Sequence, residues 1–141
     1  MPDAGFGRIR RIGVSMNRYD STDGTNDTVP DIDHTVISGL AASYGHAVVE
    51  KLATVYIENT ALQLKRLRDR AHAKDIVQFA QEVHSLKSAS AALGGTALAS
   101  LCSRAEYLGK SGDPNTFSCL SEIESKAQAL CDFLAKRPEL T

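Results

Sequence analysis

No stretch of this chain stays apolar for the roughly 18 residues that would carry a helix across a bilayer. Its first residues also lack the apolar core of a secretory leader, because Arg8, Arg10 and Arg11 run on into polar sequence. Cysteine is scarce. Cys102, Cys119 and Cys131 are odd in number and far apart, a spacing that suits neither a disulfide framework nor a metal knuckle. Neither sign of charge is in excess: the formal net charge is −1, which gives no global pull toward nucleic acid or an anionic membrane surface. β-Branched residues never alternate cleanly with polar ones, so no strand pattern competes. A Gly-rich phosphate loop and a Walker-type lysine motif are missing, so the chain is not expected to use ATP by itself. These absences leave a soluble, reduced, cytoplasmic domain built from helices.

What is present fits that class. With 141 residues and 43% hydrophobic content, one globular domain with a workable core is expected. Residues 1–30 are rich in Gly, Asp, Asn, Ser and Thr with little apolar periodicity, and read as a flexible N-terminal tail or linker. From Asp31 onward the pattern is helical. Asp31 or Asp33 can cap a short first helix that Gly45 ends. A second helix runs from about His46 to Ala71, with Val48, Val49, Leu52, Val55, Tyr56, Leu62, Leu64 and Leu67 as its apolar set. The third runs from Lys74 or Asp75 to Leu93, with Ile76, Phe79, Ala80, Val83, Leu86, Ser90 and Leu93 facing inward and Gly94 as its stop. Thr96 is expected to cap a fourth helix through Leu98, Leu101, Cys102, Ala105 and Leu108. After the breaker SGDP, Asp113 caps a fifth helix with Pro114 in its first position and Phe117, Leu120, Ile123, Ala127, Leu130 and Leu134 inside. Four long amphipathic helices joined by short turns imply an all-α fold, an antiparallel four-helix bundle with a short additional N-terminal helix, spanning residues 31–137.

The stretch EVHSLKSASAALGG, residues 82–95, carries the chemistry. A helix turns roughly 100° per residue, so His84 cannot share the centre of the stripe that holds Val83 and Leu86. It falls on the flank or the outside, with Lys87 one turn away and Val77, Gln81, Ser88 and Ala91 on its side of the helix. An imidazole that accepted a phosphoryl group would gain a doubly negative charge, which an adjacent lysine would stabilise. Small residues nearby would let a partner protein approach the ring. His34, His46 and His72 sit near helix ends or turns without a comparable setting, and are ordinary surface residues on this reading.

Taken as a string, His84-Ser85-Leu86-Lys87-Ser88-Ala89-Ser90-Ala91-Ala92-Leu93-Gly94 resembles the signature of histidine-containing phosphotransfer (HPt) domains, His-x-Leu-Lys-Gly-Ser followed by small residues and Leu-Gly. Leu98, Leu101, Cys102 and Glu106 resemble the family's next helix, with Ala105 in place of its usual Leu. The resemblance covers about residues 31–135. It implies a phosphorelay intermediate that takes a phosphoryl group from a receiver-domain aspartate and passes it to another receiver, in response regulators or hybrid histidine kinases. Carried onto this chain, His84 is the phospho-accepting residue, Lys87 the cation that stabilises the phosphoryl group, and Gln81, Ser88 and Ala91 part of the receiver-docking surface. Ser88 departs from the family's usual Gly, which bears on rate and specificity more than on activity. No intrinsic cofactor or metal is implied, since no carboxylate cluster accompanies His84 in the sequence and Mg²⁺ would belong to the receiver. The chain would be a carrier without kinase activity of its own, and a monomer.

Three other readings stand beside it. A histidine-kinase dimerisation bundle also offers a helical histidine, but usually has an acidic residue directly after it and a proline a few residues on; here Ser85 follows His84 and no proline occurs before Pro114 within the helical region. A helical adaptor would leave His84 without a task. A metal or haem bundle lacks the paired Glu-x-x-His motifs it would need.

Overall fold

The computed structural model describes residues 31–136. The expected tail, residues 1–30, and the last residue assigned to the bundle, 137, lie outside the described residues. Within them every regular element is helical: α1 His34–Tyr44, α2 His46–His72, α3 Ile76–Ala92, α4 Thr96–Lys110, a 3-10 segment Pro114–Cys119, and α5 Leu120–Ala135.

The ends of these helices follow local chemistry. Asp33 caps α1 by accepting from the Thr35 N–H, and Asp75 caps α3 by accepting from the Gln78 N–H, each satisfying an orphan donor of a first turn. Gly45 and Gly94 take positive φ, +92° and +85°, where a side chain is strained. Gly94 is also close-packed, because a Cβ there would stand 2.6 Å from the Asp33 carbonyl oxygen. That tight turn lets Asp33 N–H donate to Gly94 O at 2.7 Å and so ties the start of α1 to the α3–α4 junction.

Two expected boundaries differ. Thr96 is the first residue of α4 rather than its cap: Gly95 occupies the cap position, no side chain caps the helix, and the Thr96 hydroxyl turns back to Gly94 O. Asp113 caps as expected, by accepting from Asn115 N–H, and Pro114 leads, but Pro114–Cys119 wind as the tighter 3-10 form before α5 begins at Leu120. Packing accounts for it. Within this segment the Thr116 hydroxyl is buried and donates to Ala105 O at 2.7 Å. Phe117 meets Phe79 of α3 edge to face at 5.0 Å.

One core joins the helices, with Val49, Ala53, Tyr56 and Leu67 from α2, Phe79, Val83 and Leu86 from α3, Leu98, Cys102 and Ala105 from α4, and Ile123, Ala127, Leu130 and Leu134 from α5. The apolar set of α2 needs correcting. Val48, Leu52, Val55 and Leu62 are exposed, and the buried stripe is Val49, Ala53, Tyr56, Thr60 and Leu67. Twenty-seven residues of helix carried more apolar residues than one face could bury, and the buried polar Thr60 took a place that an apolar count overlooks. Tyr56 and Ser90 fill the α2–α3 contact with a buried hydroxyl–hydroxyl hydrogen bond of 2.7 Å.

Candidate functional site

The site lies where α3 meets α4. Contacts along the two helices run in opposite order: Ala80 faces Gly109, His84 faces Glu106, and Ser90 faces Gly95. Gly109 sets the spacing, since a Cβ there would be 2.9 Å from the Ala80 Cβ. Only a glycine lets the backbones come that close. One turn back from Gly109 on α4 stands Glu106, within reach of α3, and Thr116 holds the neighbouring Ala105 carbonyl from behind.

Glu106 is the hub. Its side chain is only 6% exposed, and three groups converge on it. His84 Nδ1 lies 2.7 Å from Oε2, Lys87 Nζ 2.6 Å from Oε1, and Lys110 Nζ 2.9 Å from Oε2. Hydrogen bonds from Lys87 and then Lys110 outweigh the opposing effect of burial and, with His84, hold the carboxyl down at about 2. Glu106 is therefore ionised at neutral pH and can only accept. A hydrogen bond from His84 to that carboxylate uses an Nδ1–H, and in the neutral tautomer that donates it the lone pair lies on Nε2. The His84 side chain is 58% exposed, so the ring is fixed at one nitrogen and open to solvent elsewhere. Two ammonium groups less one carboxylate leave the cluster with one net positive charge beside that ring.

The residues singled out in the sequence fall into two grooves. Gln81 is exposed and lines a groove of about 570 Å³ together with Val77, Ser85, His84, Glu106 and Lys110. Ser88 and Ala91 are also exposed but line a second groove of about 550 Å³, which Lys87 borders and His84 does not. Ser88 donates to the His84 carbonyl oxygen at 3.4 Å, a weak bond along its own helix. Lys87 shares a surface with His84, as its offset requires, but its side chain is 29% exposed and its amine is aimed at Glu106. Among the described residues no group of three or more His, Cys, Asp or Glu side chains could hold a metal ion. None of the described helices is long and apolar enough to cross a membrane.

Reading from the sequence missed the parts played by Glu106 and Lys110. A signal was there: Glu106 interrupts the buried stripe Leu98, Cys102, Ala105, Gly109 of α4, and an acidic residue at such a position demands partners.

A family model described as "Hpt domain" matches residues 51–133, more than half of the chain. Neither a curated protein nor a solved structure matches it.

Proposed function

The chain belongs to the Hpt domain family, and from that premise we infer that it carries a phosphoryl group on His84 between the receiver domains of a two-component phosphorelay. The family itself implies histidine phosphotransfer in such a relay. The observation that supports the assignment to His84 is the Glu106 contact at 2.7 Å on Nδ1: a carboxylate can only accept, so a neutral ring donating to it keeps its lone pair on Nε2, in a side chain that is 58% exposed.

In the transfer the Nε2 lone pair attacks the phosphorus of a receiver's aspartyl phosphate. The N–P bond forms as the P–O bond to the aspartate breaks, and the aspartate carboxylate leaves with that electron pair. The Nδ1 proton stays in place, so the phosphorylated ring is a cation, paired with the Glu106 carboxylate. Passing the group to a second receiver reverses each step. Catalysis of this kind rests on in-line placement and charge neutralisation. Lys87 supports the dianionic product with its charge, and the receiver supplies Mg²⁺. Gln81 lies beside the ring, and Ser88 and Ala91 extend the low surface on which a receiver would dock. The four longer helices then act as an antiparallel bundle, with α1 as the additional N-terminal helix, in a monomeric cytoplasmic carrier without kinase activity of its own.

The test is incubation with radiolabelled phospho-receivers and Mg²⁺. Acid-labile label on the wild type, absent from His84→Gln at an unchanged melting temperature, is the expected result. A wild type left unlabelled by every receiver of the same organism would favour the adaptor reading.

A further inference from the structure

Two lysines meet at Glu106, and the structure separates their roles. Lys87 binds Oε1, is mostly covered, and borders the groove lined by Ser88, Ala91, Ser100 and Ser103. Lys110 binds Oε2, the oxygen that also holds His84 Nδ1, is 70% exposed, and is the one lysine or arginine among the described residues lining the His84 groove. The other acidic residue near that stretch of α3, Glu82, is turned toward Arg66 of α2 at 4.0 Å.

From this geometry we propose that Lys110 makes the direct contact with the phosphoryl oxygens on His84, while Lys87 chiefly anchors Glu106. The inference rests on the reading of His84 as the phosphorylated residue. Its physical basis is the unequal cost of moving the two amines. Lys110 and Glu106 form an i,i+4 pair whose lysine end is solvated, an interaction that contributes little and breaks readily. Taking Lys87 away would uncover a buried carboxylate at Oε1, the oxygen that His84 and Lys110 leave to it, which is costly. When the ring becomes a phosphorylated cation, Glu106 keeps that cation and Lys87, so Lys110 can leave without orphaning a buried charge. It then meets the new dianion in the same groove. Lys110 is thus a mobile counter-ion that moves from carboxylate to phosphoryl group as the carrier is loaded.

The experiment loads the full chain with phosphoramidate and follows the phosphohistidine resonance by ³¹P NMR across pH. A cation beside the loaded ring disfavours both the ring proton and a proton on the phosphoryl oxygens. Lys110→Gln should therefore raise the titration midpoint by about half a pH unit, the size expected of one solvent-screened ion pair. Lys110→Arg should restore it, and Lys87→Gln should shift it less. The Lys110→Gln shift should persist in a Glu106→Gln background. An unmoved midpoint in Lys110→Gln overturns the inference and leaves the reading of His84 intact. So does a shift that vanishes with Glu106→Gln, because Lys110 would then act only through the carboxylate. A wild type with no resonance that His84→Gln removes overturns the inference and the reading together.

Discussion

Leu86 and His84 stand two residues apart on α3 and face opposite physics. Leu86 is fully buried among apolar side chains from neighbouring helices, whereas the His84 side chain is 58% exposed and held at one atom by Glu106. The inner face gains its stability from area removed from water and from close packing. The seam with α4 spends tight packing on something else: Ala80 and Gly109 bring the backbones together so that a covered carboxylate can reach the ring. A helix can thus pack an apolar core on one side and hold a hydrogen-bonded, charged seam on the other, provided the charge between the helices is fully partnered.

Substitutions should pull the two faces apart. The largest effect on stability belongs to the inner one: Leu86→Ala should cost about 2–5 kcal/mol in denaturant unfolding, through lost transfer energy and a residual cavity. The fraction that remains folded should still accept phosphoryl label. A melt in which His84→Gln destabilises more than Leu86→Ala would invert the assignment of faces. Next comes the seam. Gly109→Ala gains roughly 1 kcal/mol in helix propensity but forces a Cβ against Ala80, an overpacking cost of about 1–3 kcal/mol. A net loss of about 1 kcal/mol is expected, with slower phosphoryl acceptance as Glu106 is drawn from His84. A Gly109→Ala protein as active as the wild type would show that the close approach serves packing alone.

The smallest effect is electrostatic. The folded-state pKa of Glu106 is lowered from an ordinary 4.5 to about 2, first by Lys87 and then by Lys110. A depressed carboxyl pKa contributes stability that is fully present above about pH 4.5 and is lost as pH falls toward 2. Glu106→Gln should flatten that acid limb of a stability-against-pH curve while leaving the apolar core untouched. A limb of unchanged steepness would mean that other carboxylates dominate it.

The inner face was legible beforehand because burial repeats with the period of the helix. Phe79, Val83, Leu86 and Ser90 fell where the stripe of α3 put them, and the caps expected at Asp31 or Asp33 and at Asp113 form at Asp33 and Asp113, where the side chains satisfy orphan N–H groups locally. Helix α2 shows what periodicity leaves open, since its period admitted Val48, Leu52, Val55 and Leu62, which the packing left outside. Thr96 shows another: a hydroxyl in the right place is not a cap unless the backbone turns to meet it. At the site, the sequence singled out His84 and Lys87 by their spacing, but placed a bare imidazole beside a bare amine. The carboxylate that joins them comes from 22 residues along the chain.

The sequence by itself determined that the chain from Asp31 onward is helical, where most of its helices begin and end, and that His84 lies off the buried stripe. These are local properties, set by caps, glycines and a repeat of a few residues. Which groups meet across the α3–α4 seam was decided only by the tertiary structure, because the crossing at Ala80 and Gly109 fixes a distance that no spacing along one helix encodes. That crossing turned a solvent-facing ring into one hydrogen-bonded to a buried carboxylate, and gave it Lys110 as its neighbouring cation in the groove.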